Sequence, residues 1–196
     1  MAGRRVGVFG GTFDPPHIGH LVTAIDVRDA LGLDHVLLVV ANVPWQKAGT
    51  RTISAARDRF DMVAAAVSGV DGVSASDLEI RRGGESYSVD TMTELRAEDP
   101  DGERFLILGS DAAAGLHTWE RAEELAGLCR IVVVDRPGGA TSVPDGFPVD
   151  HITVPRLEVS STDLRSRASE GRSLRFLVPD GVISLLLERR LYGGRP

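Results

Sequence analysis

Histidines 17 and 20 stand three residues apart in the stretch VFGGTFDPPHIGHL, residues 8–21, beside two glycines, a threonine, an aspartate and two prolines. On a helix that spacing puts both rings on one face of the first turn. Gly10 and Gly11 allow a ligand to approach the backbone closely. A helix beginning after Pro16 aims unsatisfied N–H groups at the same place, so the stretch has the makings of an anion site. Three chemistries suit the pair. As metal ligands the histidines want a third histidine or a carboxylate, and Asp14 is the close candidate. As packing groups they would be satisfied within a core. As phosphate ligands they would donate ring N–H bonds to a phosphoryl group in transfer, the reading favoured by the glycines around them. The chain has no Gly-x-x-x-x-Gly-Lys-Ser/Thr loop, and Gly7, Gly10 and Gly11 leave the third glycine of the dinucleotide fingerprint unfilled.

Other residues with usable chemistry read modestly when taken alone. SSTDLR, at 160–165, is a helix cap. Lys47, in VPWQKAGT, is a solvated loop charge, and Asp111 caps whatever follows the apolar run before it. Trp119 is a packing residue, and Arg136 an exposed ion-pairing one.

The elements that must carry these residues alternate along the chain. Strands are expected at RRVGVFG, DHVLLVVAN, VSASDLEI, RFLILGSD, RIVVVDRPGG and HITVP. The unbroken apolar run at 36–40 suits a strand covered on both faces, as in a parallel sheet. Helical period marks 17–33, with Ile18, Leu21, Val22 and Ile25 on one face, and 54–69, with Ser54 as its cap. It also marks 86–99, 118–128, 160–171 and 179–191. The Gly/Pro-rich GGATSVPDGFP, 138–148, is a surface loop. Such alternation specifies an α/β fold, a doubly wound and mostly parallel sheet whose crossovers are helices. Ligands of these folds bind beyond the carboxyl ends of the strands, where the histidine turn falls.

Composition bounds the rest. At 196 residues, 42% of them hydrophobic and 26% charged, the chain suits one soluble domain. A net charge of -6 argues against a general nucleic-acid binder, so any bound polyanion must meet a local cluster of cations. Cys129 is the sole cysteine, which rules out an intramolecular disulfide and a cysteine-based zinc site. No signal-peptide pattern or membrane-length apolar run occurs, and the cytoplasm is the expected compartment. Nothing here argues against a homo-oligomer.

GGTFDPPHIGH resembles the signature of the nucleotidyltransferase superfamily with the His-x-Gly-His motif, and its GGTFDPPH form is similar to the bacterial nicotinate-nucleotide adenylyltransferases. Six more marks of that family follow in order: SYSVDT at 86–91, GSD at 109–111, Trp119 before EEL, DRPG at 135–138, SSTDLR at 160–165 and LVPDGV at 177–182. The resemblance covers nearly the whole chain. It implies a single Rossmann-like nucleotidyltransferase domain over 1–196, in which the helical part 160–196 completes the ATP site. The implied reaction moves AMP from ATP, with Mg²⁺, onto nicotinate mononucleotide. The nucleophile is the substrate's own phosphate, so the protein needs no general base but must align two anions.

By resemblance His17, His20, Lys47 and Arg165 are the catalytic groups. ATP would be held by Gly10, Gly11, Thr12, Phe13, His17, His20, Gly109, Asp111, Arg136, Ser160, Ser161, Thr162 and Arg165. Nicotinate mononucleotide would meet Thr12, Lys47, Thr91 and Trp119. Gln46 departs from the family's Pro-His-Lys pattern and cannot carry charge there. Other readings are an adenylyltransferase for nicotinamide mononucleotide or phosphopantetheine, a non-catalytic nucleotide-binding module and a metal-dependent hydrolase.

Overall fold

The apolar runs assemble into one six-stranded parallel sheet. In a computed structural model, which describes residues 3–44, 52–135 and 143–193, the strands are β1 (Arg5–Gly11), β2 (His35–Val40), β3 (Val73–Ser76), β4 (Glu103–Gly109), β5 (Arg130–Asp135) and β6 (Val149–Thr153). Their order is β3-β2-β1-β4-β5-β6, and every neighbouring pair is parallel. The chain therefore winds outward from β1 twice, first through β2 and β3, then through β4 to β6.

Both faces are covered. Helices α1 (Ile18–Leu31) and α2 (Ala56–Ala66) pack one face, where Phe105, Ile107, Val132 and Val134 meet Ala24, Val27 and Val63. Helices α3 (Leu78–Arg82), α4 (Ser88–Glu98), α5 (Ser110–Ala114) and α6 (Ala122–Leu128) follow in the chain. Of these, α4, α5 and α6 supply Val89, Met92, Ala113 and Leu125 to the other face, against Leu106, Leu108, Ile131 and Val133. Adjacent residues of β4 and β5 thus serve opposite cores, which is why these strands read as unbroken apolar runs. Cys129 lies in the second core, and burial pushes its thiol up to about 12, so it behaves as a small apolar group.

A third cluster ties α7 (Ser161–Ser169) and α8 (Asp180–Glu188) to α2 through Met62, Leu164, Val182 and Leu186. Arg189 adds ion pairs to Asp58 and Asp61 of α2 at 2.6 and 2.8 Å.

Several local expectations change. The third strand stops at Ser76, because Leu78 and Glu79 turn inward on α3. The sixth helix starts at Ala122 rather than 118, since Trp119 is extended and Arg121 is left-handed at φ 46°. Helix α5, directly after β4, was not expected. Ala55, and not Ser54, precedes α2, and the Ser54 carbonyl accepts from Arg59 Nε at 2.9 Å. The inner line of α1 runs through Ala24 and Val27 with Leu21, Ile25 and Leu31, so Ile18 and Val22 lie off it.

Leu164, fully buried, holds the first turn of α7 onto α2 and α8. Leu164→Ala is expected to cost about 2–5 kcal/mol, measured as a lowered urea midpoint with an unchanged slope.

Candidate functional site

The winding reverses between β1 and β4, and a crevice opens beyond their carboxyl ends. Gly10 and Gly11 close β1, and Gly109 closes β4. A Cβ on Gly10 or Gly109 would meet nothing within 4 Å, so the space above them is open. Gly11 is different: its Cβ would lie 2.8 Å from the Phe13 ring. Phe13, left-handed at φ 49° and 2% exposed, stands edge-on to His20 with centroids 5.0 Å apart. The phenyl ring therefore supports a histidine from beneath and offers ATP no surface, which leaves only the Phe13 backbone for the expected contact.

His17 is the N-cap of α1, and its ring lies 3.7 Å from that of His20, tilted by 31°. The His17 N–H donates to His20 Nδ1 at 3.1 Å. His20 Nδ1 is thereby the acceptor, and its ring proton sits on Nε2. Burial pushes His17 down to about 4, so this ring is neutral at pH 7. Its Nδ1 is buried with no hydrogen-bond partner among the described residues. The glycine of His-x-Gly-His has a steric reason: a Cβ on Gly19 would come within 3.0 Å of His17 Nδ1. The helix offers fewer donors than its sequence suggests, because the Ile18 N–H is taken by the Leu177 carbonyl at 3.0 Å.

Helix α7 is fastened to the same turn. Ser161 Oγ donates to the Pro15 carbonyl at 2.8 Å, and Arg165 Nη1 to the Asp14 carbonyl at 2.8 Å. The other guanidinium nitrogen donates to Thr162 Oγ1 at 3.0 Å. Ser160 caps the helix, accepting from the Asp163 N–H at 3.1 Å. The structure thus brings His17 and His20 together with Ser160, Ser161, Thr162 and Arg165. With the Ser160 and Ser161 hydroxyls engaged inside the protein, the amides of this helix start are the better-placed donors for an anion.

A cavity of about 240 Å³ lies beside this turn, bounded by Thr12, Glu79, Ser86, Gly109 and Trp119. The buried indole Nε1 of Trp119 has no hydrogen-bond partner among the described residues. Thr91 is not a wall of this cavity. It is buried one layer behind, donating to Glu79 Oε1 at 2.6 Å and accepting from Arg82 Nη2 at 3.1 Å. Asp111 is exposed in the first turn of α5. Lys47 and Arg136 lie outside the described residues.

Sequence reasoning missed three residues. Arg59 falls at the apolar spacing of Met62, Val63 and Ala66, a signal that it faces inward. Glu79 was hidden by the strand expected there. Tyr192, whose hydroxyl donates to the buried Asp14 carboxylate, carries no such signal.

A doubly wound parallel sheet with paired histidines at its reversal point has the architecture of an α/β nucleotidyltransferase. The chain belongs to the cytidylyltransferase-like family, whose sequence model matches residues 8–167. A Streptomyces coelicolor protein named "Probable nicotinate-nucleotide adenylyltransferase" is 45% identical over 188 residues, covering 94% of this chain and 99% of its own. A protein of the same name from Mycolicibacterium vanbaalenii is 42% identical over 199 residues, covering 96% and 92%. The fold is also that of a Plasmodium falciparum nicotinic acid mononucleotide adenylyltransferase complexed with NaAD, with TM-score 0.80, 16% identity and 98% of each chain covered.

His17 makes stability depend on pH. Its folded value near 4 lies below the ordinary 6.5, so between these limits the unfolded chain binds a proton that the folded chain refuses. Stability is therefore full above pH 6.5 and falls as the pH drops. The His17 contribution lost between pH 7.5 and pH 5 is about 2 kcal/mol. Urea midpoints at the two pH values should show it, and His17→Gln should flatten the difference.

Proposed function

We infer that this protein is a nicotinate-nucleotide adenylyltransferase, which transfers AMP from ATP to nicotinate mononucleotide and releases pyrophosphate. The observation that carries this reading is the near-full-length likeness to relatives of that name. The histidine turn bolted to α7 supplies the chemistry the reaction needs. A phosphate oxygen of the mononucleotide attacks the α-phosphorus of ATP, the bond to the bridging oxygen breaks, and its electrons leave with pyrophosphate. The attacking oxygen is already ionised, so no proton must be removed from it.

His20 Nε2–H is the donor that meets charge building on the phosphates, and Arg165 and the α7 amides hold the departing end. Lys47 serves the reacting phosphates and Arg136 the adenosine side. Trp119 stacks on the pyridine ring, while Thr91 acts indirectly by fixing Glu79. The donors around the turn are N–H and O–H groups, which suit phosphate oxygens rather than a hard cation. No three His, Cys, Asp or Glu side chains among the described residues cluster to hold a metal. Mg²⁺ would thus be carried by the phosphate oxygens of ATP and by water, and it would neutralise charge on the leaving pyrophosphate. No described helix is long and apolar enough to cross a membrane.

The test is pyrophosphate release from ATP with nicotinate or nicotinamide mononucleotide. Faster turnover of the nicotinate form is expected, and no release with either would overturn the reading. His20→Ala should lower kcat on the order of 100-fold, followed in the same assay.

A further inference from the structure

Arg59 is 1% exposed, and a guanidinium taken that far out of water is retained only where its N–H groups find acceptors. Backbone carbonyls from three separate stretches of the chain are among its partners. Nε donates to Ser54 at 2.9 Å, Nη1 to Thr12 at 2.9 Å and Nη2 to Asn42 at 3.0 Å. Thr12 belongs to the phosphate turn and lines the cavity. Asn42 holds Ser86, another lining residue, and the glycine turn before it: its N–H donates to Ser86 Oγ at 2.8 Å and its side-chain amide to the Gly84 carbonyl at 2.9 Å. The Ser86 N–H in turn donates to the Val43 carbonyl at 3.0 Å.

We propose that Arg59 is a positioning residue for the transfer reaction, setting the separation between the phosphate turn and the cavity wall at Ser86. This rests on the functional reading above, in which the cavity takes the mononucleotide and the turn takes the ATP phosphates. Each substrate binds to its own half of the site. The reaction requires, in addition, that the two halves stand at one distance, so that the mononucleotide phosphate lies in line with the bond to be broken. A single planar fork spanning Thr12 and Asn42 fixes that distance, because neither carbonyl can move without losing its donor. Lysine in its place would keep the charge and the apolar stem but would present one tetrahedral ammonium, unable to reach all three carbonyls in their present places.

The experiment compares wild type with Arg59→Lys and Arg59→Ala. Pyrophosphate release gives kcat, calorimetry gives the affinity for nicotinate mononucleotide alone and for a non-hydrolysable ATP analogue alone, and urea melts give the folded fraction. Arg59→Lys should lose roughly 10- to 100-fold in kcat while binding each ligand alone nearly as wild type. Free guanidinium at non-denaturing concentration should restore turnover to a folded Arg59→Ala variant. If Arg59→Lys keeps its kcat, or if kcat and both affinities fall together with the folded fraction, the positioning role is overturned. A folded Arg59→Ala variant that guanidinium fails to rescue counts against it equally. If Arg59→Ala does not fold, the Lys variant alone decides. A wild type that releases no pyrophosphate defeats the functional reading; an active wild type with an unaffected Lys variant defeats only the role of Arg59.

Discussion

The joining of the histidine turn to α7 depends on two hydrogen bonds between stretches of chain 146 and 151 residues apart, from Ser161 to the Pro15 carbonyl and from Arg165 to the Asp14 carbonyl. Neither the histidine turn nor the α7 start makes a clamp alone. In the proposed function the first would offer a ring donor and the second backbone amides, and a polyphosphate would need both at once. The remaining packing serves that junction. Leu164 seats α7 on α2, Arg189 pairs across to α2, and the β1–β4 reversal presents the turn at an open edge. In the proposed reaction, donors held in place before substrate arrives would act on the reacting phosphates without reorganisation.

The strands of the sheet centre were legible because burial on both faces leaves long apolar runs, as at 36–40 and 131–134. Where the strand at 73–76 ends was not. Val73, Ala75, Leu78 and Ile80 suit a strand and a short helix alike, and only tertiary burial of Leu78 and Glu79 chooses between them. The short helix α5 is likewise too brief to show a period.

For the site, residue types revealed which groups gather but not how their hydrogen-bonding capacity is spent. The sequence offers two histidines and three hydroxyls as donors. In the fold, one histidine nitrogen accepts from a backbone N–H, and two of the hydroxyls are committed to a carbonyl and a cap. Such allocation is decided by neighbours far along the chain, which no local spacing encodes. Phe13 is the same case: a residue inside the signature motif whose ring proves to be a support for its neighbour.

Tyr192 gives the molecule a timing constraint. Its hydroxyl reaches Asp14, 178 residues earlier, inside the histidine turn. Contacts of such sequence separation are slow to form, since a long loop must close before they reward it. During synthesis the histidine turn exists as peptide long before this tyrosine is made, and for that whole interval Asp14 lacks the partner it has in the native core. The turn that carries the paired histidines thus reaches its native hydrogen bonding only in a chain made as far as Tyr192 and folded back onto it.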